Sequence, residues 1–240
     1  MKFQTKEIEV LEKILKKFSS LKRRSRGKVV LMDYRVFLFL LDFEEKKLIK
    51  KIQNLNISKY GKKTPFYGIK RTPEDLVAVR GQKYKNKGII RHLPVSFLPG
   101  EVYGAFKKMN QAIKKETGKS FLIKSGYRSP AYQMIVFLGY LEKNFWNIKK
   151  TMKGVALPGY SEHGCPGKQA VDFTSIEILK KNKRDFSQTE EYRWLKKNAA
   201  KFGFYLSFPK DNKLGVKFEP WHWHYESSPE QCSGKLLTIK

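Results

Sequence analysis

Histidine and cysteine are scarce in this chain of 240 residues, with four of the first and two of the second. Two cysteines, Cys165 and Cys232, make no disulfide framework, and no Cys-x-x-Cys pair suggests a structural zinc finger. One bridge or two thiols both remain open. Acidic residues are few: 22 Asp and Glu against 50 Lys and Arg, a formal net charge of +28. Long apolar runs are missing. The most apolar stretch, VVLMDYRVFLFLLDF (29–43), contains Asp33, Arg35 and Asp42, which argues against a membrane span and for a buried strand or helix. The N-terminal MKFQTKEIEVLEKILKKF alternates charged and apolar residues and does not read as a secretory signal.

What is present points to a folded protein. Hydrophobic content of 40% with 14% aromatics excludes a disordered chain, and the length suits one domain, or one domain with an extension. The positive charge is either a lysine-rich solvated surface or an attraction to a polyanion, nucleic acid or an anionic cell-envelope polymer. Lysine is spread along the whole chain, so charge alone selects neither. No RNP, zinc-finger or helix-turn-helix signature supports a nucleic-acid partner.

Periodicity predicts an amphipathic helix over 5–18, with Ile8, Leu11, Leu15 and Phe18 on one face, followed by a basic loop, SSLKRRSRGK. Residues 44–54 read as a second helix. The stretch 58–75, rich in Gly, Pro and Lys, reads as a linker or long loop, with a domain boundary near 60. This divides the chain into a basic N-terminal extension (1–60) and a domain over 61–240. A helix over 99–118 places Val102, Phe106, Met109 and Ile113 together and stops at Gly118. SFLI (120–123) reads as a strand. Ser129 caps a further helix with Pro130 at its first position, running to about 145. QAVDF (169–173) is strand-like. A helix capped by Ser187 or Thr189 carries Tyr192, Leu195 and Ala199 and ends at Gly203, and FYLSF and WHWHYE are β-rich. Helices and short strands mix without a βαβ rhythm, which makes the class α+β.

Three segments carry the residue types that chemistry needs. In SEHGCPGKQAVDF (161–173), His163 and Asp172 stand nine residues apart across a Pro-Gly turn, a metal pair only if the loop folds back. In EPWHWHYE (219–226), the alternation of a strand puts His222 and His224 on one face, with Glu219 three residues before His222. A carboxylate beside a metal is what hydrolysis requires, the one to take a proton from water and the other to acidify it. In SGYRS (125–129), Arg128 at a strand-to-helix turn suits a carboxylate. The bland alternatives are an ordinary loop, an aromatic strand with solvated histidines and a surface Arg. A thiol nucleophile at Cys165 needs a His base and leaves Glu219 and His222 unexplained.

In this order SGYRS, PGYSEHGCPGKQAVD (158–172) and EPWHWHY (219–225) resemble the VanY-type zinc D-alanyl-D-alanine carboxypeptidases, with their Ser-Gly-Tyr-Arg-Ser, Ser-x-His leading to Ala-x-Asp, and Glu-x-x-His. YRWLKKNAAKFGFYLSFP (192–209) is similar to the family's segment ahead of the last motif, and the resemblance covers roughly residues 75–226. It implies a hedgehog/DD-peptidase-like fold, a small antiparallel sheet flanked by helices. It implies one zinc per chain, held by His163, Asp172 and His222 with one position open, and Glu219 as general base and then acid. Arg128 would bind the negative charge of a peptidoglycan stem peptide. Ser161, Ser125, Tyr127, Trp221 and His224 would be substrate-side groups. Two features depart from the family's pattern. The loop from His163 to Asp172 is longer by two residues, and His224 stands where Arg is common, as a substrate-side group, a partner of the ligands or a competing ligand. The implied activity is removal of C-terminal D-alanine by a D,D- or L,D-carboxypeptidase. Alternatives are a phage-type peptidoglycan endopeptidase and a non-catalytic zinc-bearing binding module. The chain is expected to be a monomer. Its substrate places it in the cell envelope or outside the cell, while the missing signal leaves a cytoplasmic site open. Residues 1–60 are an expected contact for an anionic envelope surface.

Overall fold

In the computed structural model, which describes residues 2–25, 27–180 and 185–226, the chain begins with α1 (Thr5–Arg24), α2 (Tyr34–Phe39) and α3 (Phe43–Gln53). Four strands follow, β1 (Leu76–Val79), β2 (Lys83–Asn86), β3 (Ile89–His92) and β4 (Ser96–Pro99). Then come α4 (Gly100–Thr117), β5 (Leu122–Ser125), α5 (Pro130–Lys143), α6 (Ile148–Met152) and β6 (Lys168–Thr174). The last elements are α7 (Ile176–Leu179), α8 (Glu190–Asn198), β7 (Phe204–Leu206) and β8 (His222–Glu226). The class is α+β, as the mixed pattern of helices and short strands predicts. The described residues fall into two compact units: one from within 1–72, 128–164 and 211–217, the other from within 73–127, 165–210 and 218–226.

The first unit is helical. The apolar stripe of α1 (Leu11, Ile14, Phe18) and that of α3 (Leu48, Ile49, Ile52) pack with Met134, Phe137, Leu138 and Leu141 of α5 into one core. α1 runs six residues past the expected end at 18. Leu21 still packs on this core, and Lys22, Arg23 and Arg24 in the last turn suit the negative end of the helix dipole. Asp42 caps α3 by accepting the Glu45 N–H, and Glu45 answers by accepting the Asp42 N–H. The Glu45 carboxylate is buried and takes Lys17 Nζ at 2.6 Å, a pair that ties α1 to α3. The Glu45 N–H and the Lys13 ammonium together hold the Asp42 carboxyl below its usual range. Residues 58–75 are a long loop, pinned at several points. The Lys63 N–H donates to Leu214 O, and the Tyr67 N–H donates to Gly159 O at 2.7 Å. Gly159 sits at φ +82°, a conformation that L side chains rarely adopt, and a Cβ there would lie 2.3 Å from the Phe66 ring, which would have to shift.

The second unit is built around an antiparallel sheet in the order β5-β6-β8-β7. Its core is aromatic. Phe173 of β6 meets Phe106, Phe121 and Phe204 at ring-centroid distances of 5.9, 5.6 and 5.5 Å. Val102, Phe106, Met109 and Ile113 of α4 bury the face that their spacing predicts, and Gly118 ends the helix at φ +73°. Thr189, rather than Ser187, caps α8. Along β8, Trp223 faces this core, and Tyr225 packs at its margin and donates to Glu101 Oε1 at 2.7 Å. Burial and that bond push the Tyr225 phenol up to about 12. The alternation of the strand turns His222, His224 and Glu226 to the opposite face. Two ribbons, β1 with β4 and β2 with β3, precede α4, where sequence periodicity offers no strand.

Candidate metal centre

The sheet register places the chemistry. Asp172 on β6 lies directly across from His222 on β8, and Asp172 Oδ1 is 3.0 Å from His222 Nδ1. Residues fifty positions apart are thereby held side by side on two neighbouring strands of one sheet. Glu219 sits just ahead of β8 in a tight turn: its carbonyl accepts the His222 N–H, and its own N–H donates to Phe208 O. This holds Glu219 Oε2 at 3.9 Å from His222 Nδ1. Phe208 covers the imidazole of His222, with ring centroids 4.8 Å apart.

His163 lies in a short 3-10 turn, Glu162–Gly164, with its ring buried. Its carbonyl accepts the Arg128 N–H at 2.9 Å. A Cβ at position 164 would come within 2.8 Å of Arg128 O, so the Gly keeps these two segments close. His163, Asp172 and His222 each offer a donor atom, and these atoms all lie within 4.8 Å of one another. Ligands sharing a tetrahedral zinc stand about 3.3 Å apart for bonds of about 2.0–2.1 Å. Two imidazoles and one carboxylate are also the donor set of an open, catalytic type of zinc site. The residues present therefore fit that metal. The segment after His163 closes as a β-turn, Cys165–Lys168, with Pro166 at its second position and the Lys168 N–H donating to Cys165 O at 3.0 Å. Cys165 is buried, and Cys232 lies outside the described residues.

His224 shares the His222 face but is held differently. Its Nε2 is 3.0 Å from Glu226 Oε1, and its Nδ1 is 2.8 Å from Ser207 Oγ. A carboxylate only accepts, so Nε2 carries a proton, and Nδ1 shares a hydrogen bond with the hydroxyl. Both nitrogens are engaged, which sets His224 apart from the three-residue group. Among the remaining expected site residues, Trp221 is partly exposed where the chain enters β8, and Ser125 stands across from Asp172 in the β5–β6 register. Tyr127 is only 2% exposed, and its N–H donates to Phe97 O. Gly126 beside it is required, since a Cβ there would lie 2.3 Å from the same carbonyl. Ser161 is half-buried and its carbonyl accepts the Gly164 N–H. Sequence reading passed over Glu162, a buried acid beside His163 whose carboxylate accepts from Tyr67 Oη at 3.2 Å. An acid between Ser161 and His163 was the available signal. It also passed over Ser207 and Glu226, which fix His224 and lie on other segments or at the strand's end.

The VanY family, described as D-alanyl-D-alanine carboxypeptidase, matches residues 96–228, more than half of the chain. The YodJ protein of Bacillus subtilis (strain 168) is 30% identical over 65% of this chain and 61% of its own length. A D-alanyl-D-alanine carboxypeptidase of Enterococcus faecium is 31% identical over 57% of this chain and 40% of its own. The chain thus spans less than two thirds of either relative. Among solved structures, that of the LdcB LD-carboxypeptidase, described with its peptidoglycan recognition, is 28% identical and covers 66% of this chain and 71% of its own, with a TM-score of 0.50. The motifs, the sheet that joins them and the matched region agree: the chain belongs to the VanY D-alanyl-D-alanine carboxypeptidase family.

Proposed function

We propose that this protein is a zinc-dependent carboxypeptidase that removes the C-terminal D-alanine from peptidoglycan stem peptides at the cell wall. The observation that carries the reading is the Asp172–His222 pair across β6 and β8, with Glu219 Oε2 3.9 Å from the same histidine. His163, Asp172 and His222 would hold the metal. A zinc ion there supplies Lewis acidity, which acidifies water and polarises a peptide carbonyl. Glu219 takes the proton of the attacking water and passes it to the leaving amine as the peptide C–N bond breaks. Water's hydroxyl ends on the acyl carbon, its other proton ends on the amine of the released D-alanine, and the new carboxylic acid ionises. The Arg128 guanidinium is suited to the terminal carboxylate of the peptide, as a planar fork that binds both oxygens. Ser161 adds a hydroxyl donor, and the exposed part of Trp221 a wall for the peptide. Among the described residues no helix is long and apolar enough to cross a membrane.

The test is incubation of the zinc-loaded chain with stem pentapeptide and tetrapeptide, followed by mass spectrometry. Loss of one D-alanine from the pentapeptide is the D,D outcome, and from the tetrapeptide the L,D outcome. No release of D-alanine from either peptide contradicts the reading.

A further inference from the structure

The corner between α2 and α3 has no counterpart in the chemistry above. Its sequence, VFLFLLDF (36–43), sends Phe37 and Leu41 into the helical core, packs Leu38 against it, and leaves Val36, Phe39, Leu40 and Phe43 exposed. Phe39 is 82% exposed, Phe43 76%, Val36 50% and Leu40 40%. Two phenylalanines standing largely in water four positions apart, with Val36 and Leu40 exposed in the same short segment, make this corner an exposed apolar tip. Nothing in the core needs them there, since the inward face of α3 is complete with Leu48, Ile49 and Ile52.

Cations stand behind this tip. On α3, Lys46, Lys47 and Lys50 follow Phe43 at spacings of three, four and seven, on the same exposed face. They form no ion pair among the described residues, whereas Lys17 is committed to Glu45 and Leu40 O, and Lys51 to Glu7. Of the nearby exposed acids, Asp42 is engaged by Lys13 and by the cap of α3, and Glu44 follows it in the first turn of α3. An apolar tip backed by lysines is the pattern of a segment that enters a membrane interface, with rings among the acyl chains and ammonium groups at lipid phosphates. A second copy of the chain is a poor occupant, because two bodies each carrying +28 repel. A soluble polyanion would use the lysines but gain nothing from Phe39 and Phe43.

We infer that the α2–α3 corner docks the protein on the surface of an anionic phospholipid bilayer, with Phe39 and Phe43 inserted and Lys46, Lys47 and Lys50 at the headgroups. The inference is independent of the metal centre and of the proposed peptidase activity.

The experiment is co-sedimentation of the full chain with vesicles of phosphatidylcholine alone or mixed with phosphatidylglycerol. Binding is expected only with phosphatidylglycerol present, and it weakens as salt rises. F39S/F43S should lower the affinity on the order of tenfold or more, and K46Q/K47Q should lower it several-fold and flatten the salt dependence. Both phenylalanines lie outside the core, and an unchanged thermal melt of each variant shows that its fold is intact. The inference is overturned if the wild-type chain ignores phosphatidylglycerol vesicles. Equal binding by F39S/F43S overturns it too, since charge alone would then hold the protein. So does a concentration-dependent dimer that F39S/F43S abolishes, which would give the tip to a second copy.

Discussion

The core of the helical unit is largely aliphatic, with Leu11, Ile14, Ile49, Ile52 and Leu138 around Phe18 and Phe37, whereas the sheet unit packs Phe106, Phe121, Phe173 and Phe204 ring against ring. The two also differ in what they leave outside the core. The helical unit sends Phe39 and Phe43 into solvent on a short corner. The sheet unit turns Asp172, His222 and His224 to one side of paired strands and fixes them by register. Strand pairing places side chains from distant parts of the chain within hydrogen-bonding reach and keeps them there, which is what a metal centre demands. A helical stripe collects residues from one short segment and suits a surface contact.

The comparison breaks most visibly at two histidines of the same strand. His222→Ala should lose stoichiometric zinc and reduce D-alanine release below detection. His224→Ala, which removes a ring held by Ser207 and Glu226, should keep zinc and lose activity only about tenfold to a hundredfold. Metal analysis and amine release on both variants decide this, and zinc loss in His224→Ala alone would move the centre one pleat along the strand. A smaller effect separates the two cores. Phe173→Ala, next to Asp172, should cost about 3–5 kcal/mol of stability, and Leu11→Ala about 2–5 kcal/mol. Only Phe173→Ala should also weaken zinc binding, as read by calorimetric titration. Equal zinc affinity in the two variants would mean that packing beneath β6 does not position Asp172.

Much of this architecture is legible in the sequence where the signal is local. The stripe of α4, the Ser129 cap with Pro130, and the Thr189 cap of α8 all rest on residues within a few positions of one another. The end of α1 was not legible, because Ser19 and Ser20 break the apolar pattern while Leu21 still reaches the core. The ribbon of β2 and β3 was not legible either. Its strands are short and mostly exposed, so no buried face imposes alternation on them. At the candidate metal centre, motif order nominates the residues, but nine positions of spacing do not by themselves bring His163 to Asp172. The pairing of Asp172 with His222 exists only once β6 and β8 are in register. The engagement of His224 by Ser207 likewise depends on the approach of the segment after β7.

The central claim is that Glu219 moves the proton beside a metal held by His163, Asp172 and His222. D-alanine release from stem peptides by zinc-loaded Glu219→Ala tests it most directly, with zinc content measured on the same sample. The expected result is one zinc per chain and a loss of release of about a hundredfold to ten-thousandfold. Release at the wild-type rate with zinc in place would contradict the account.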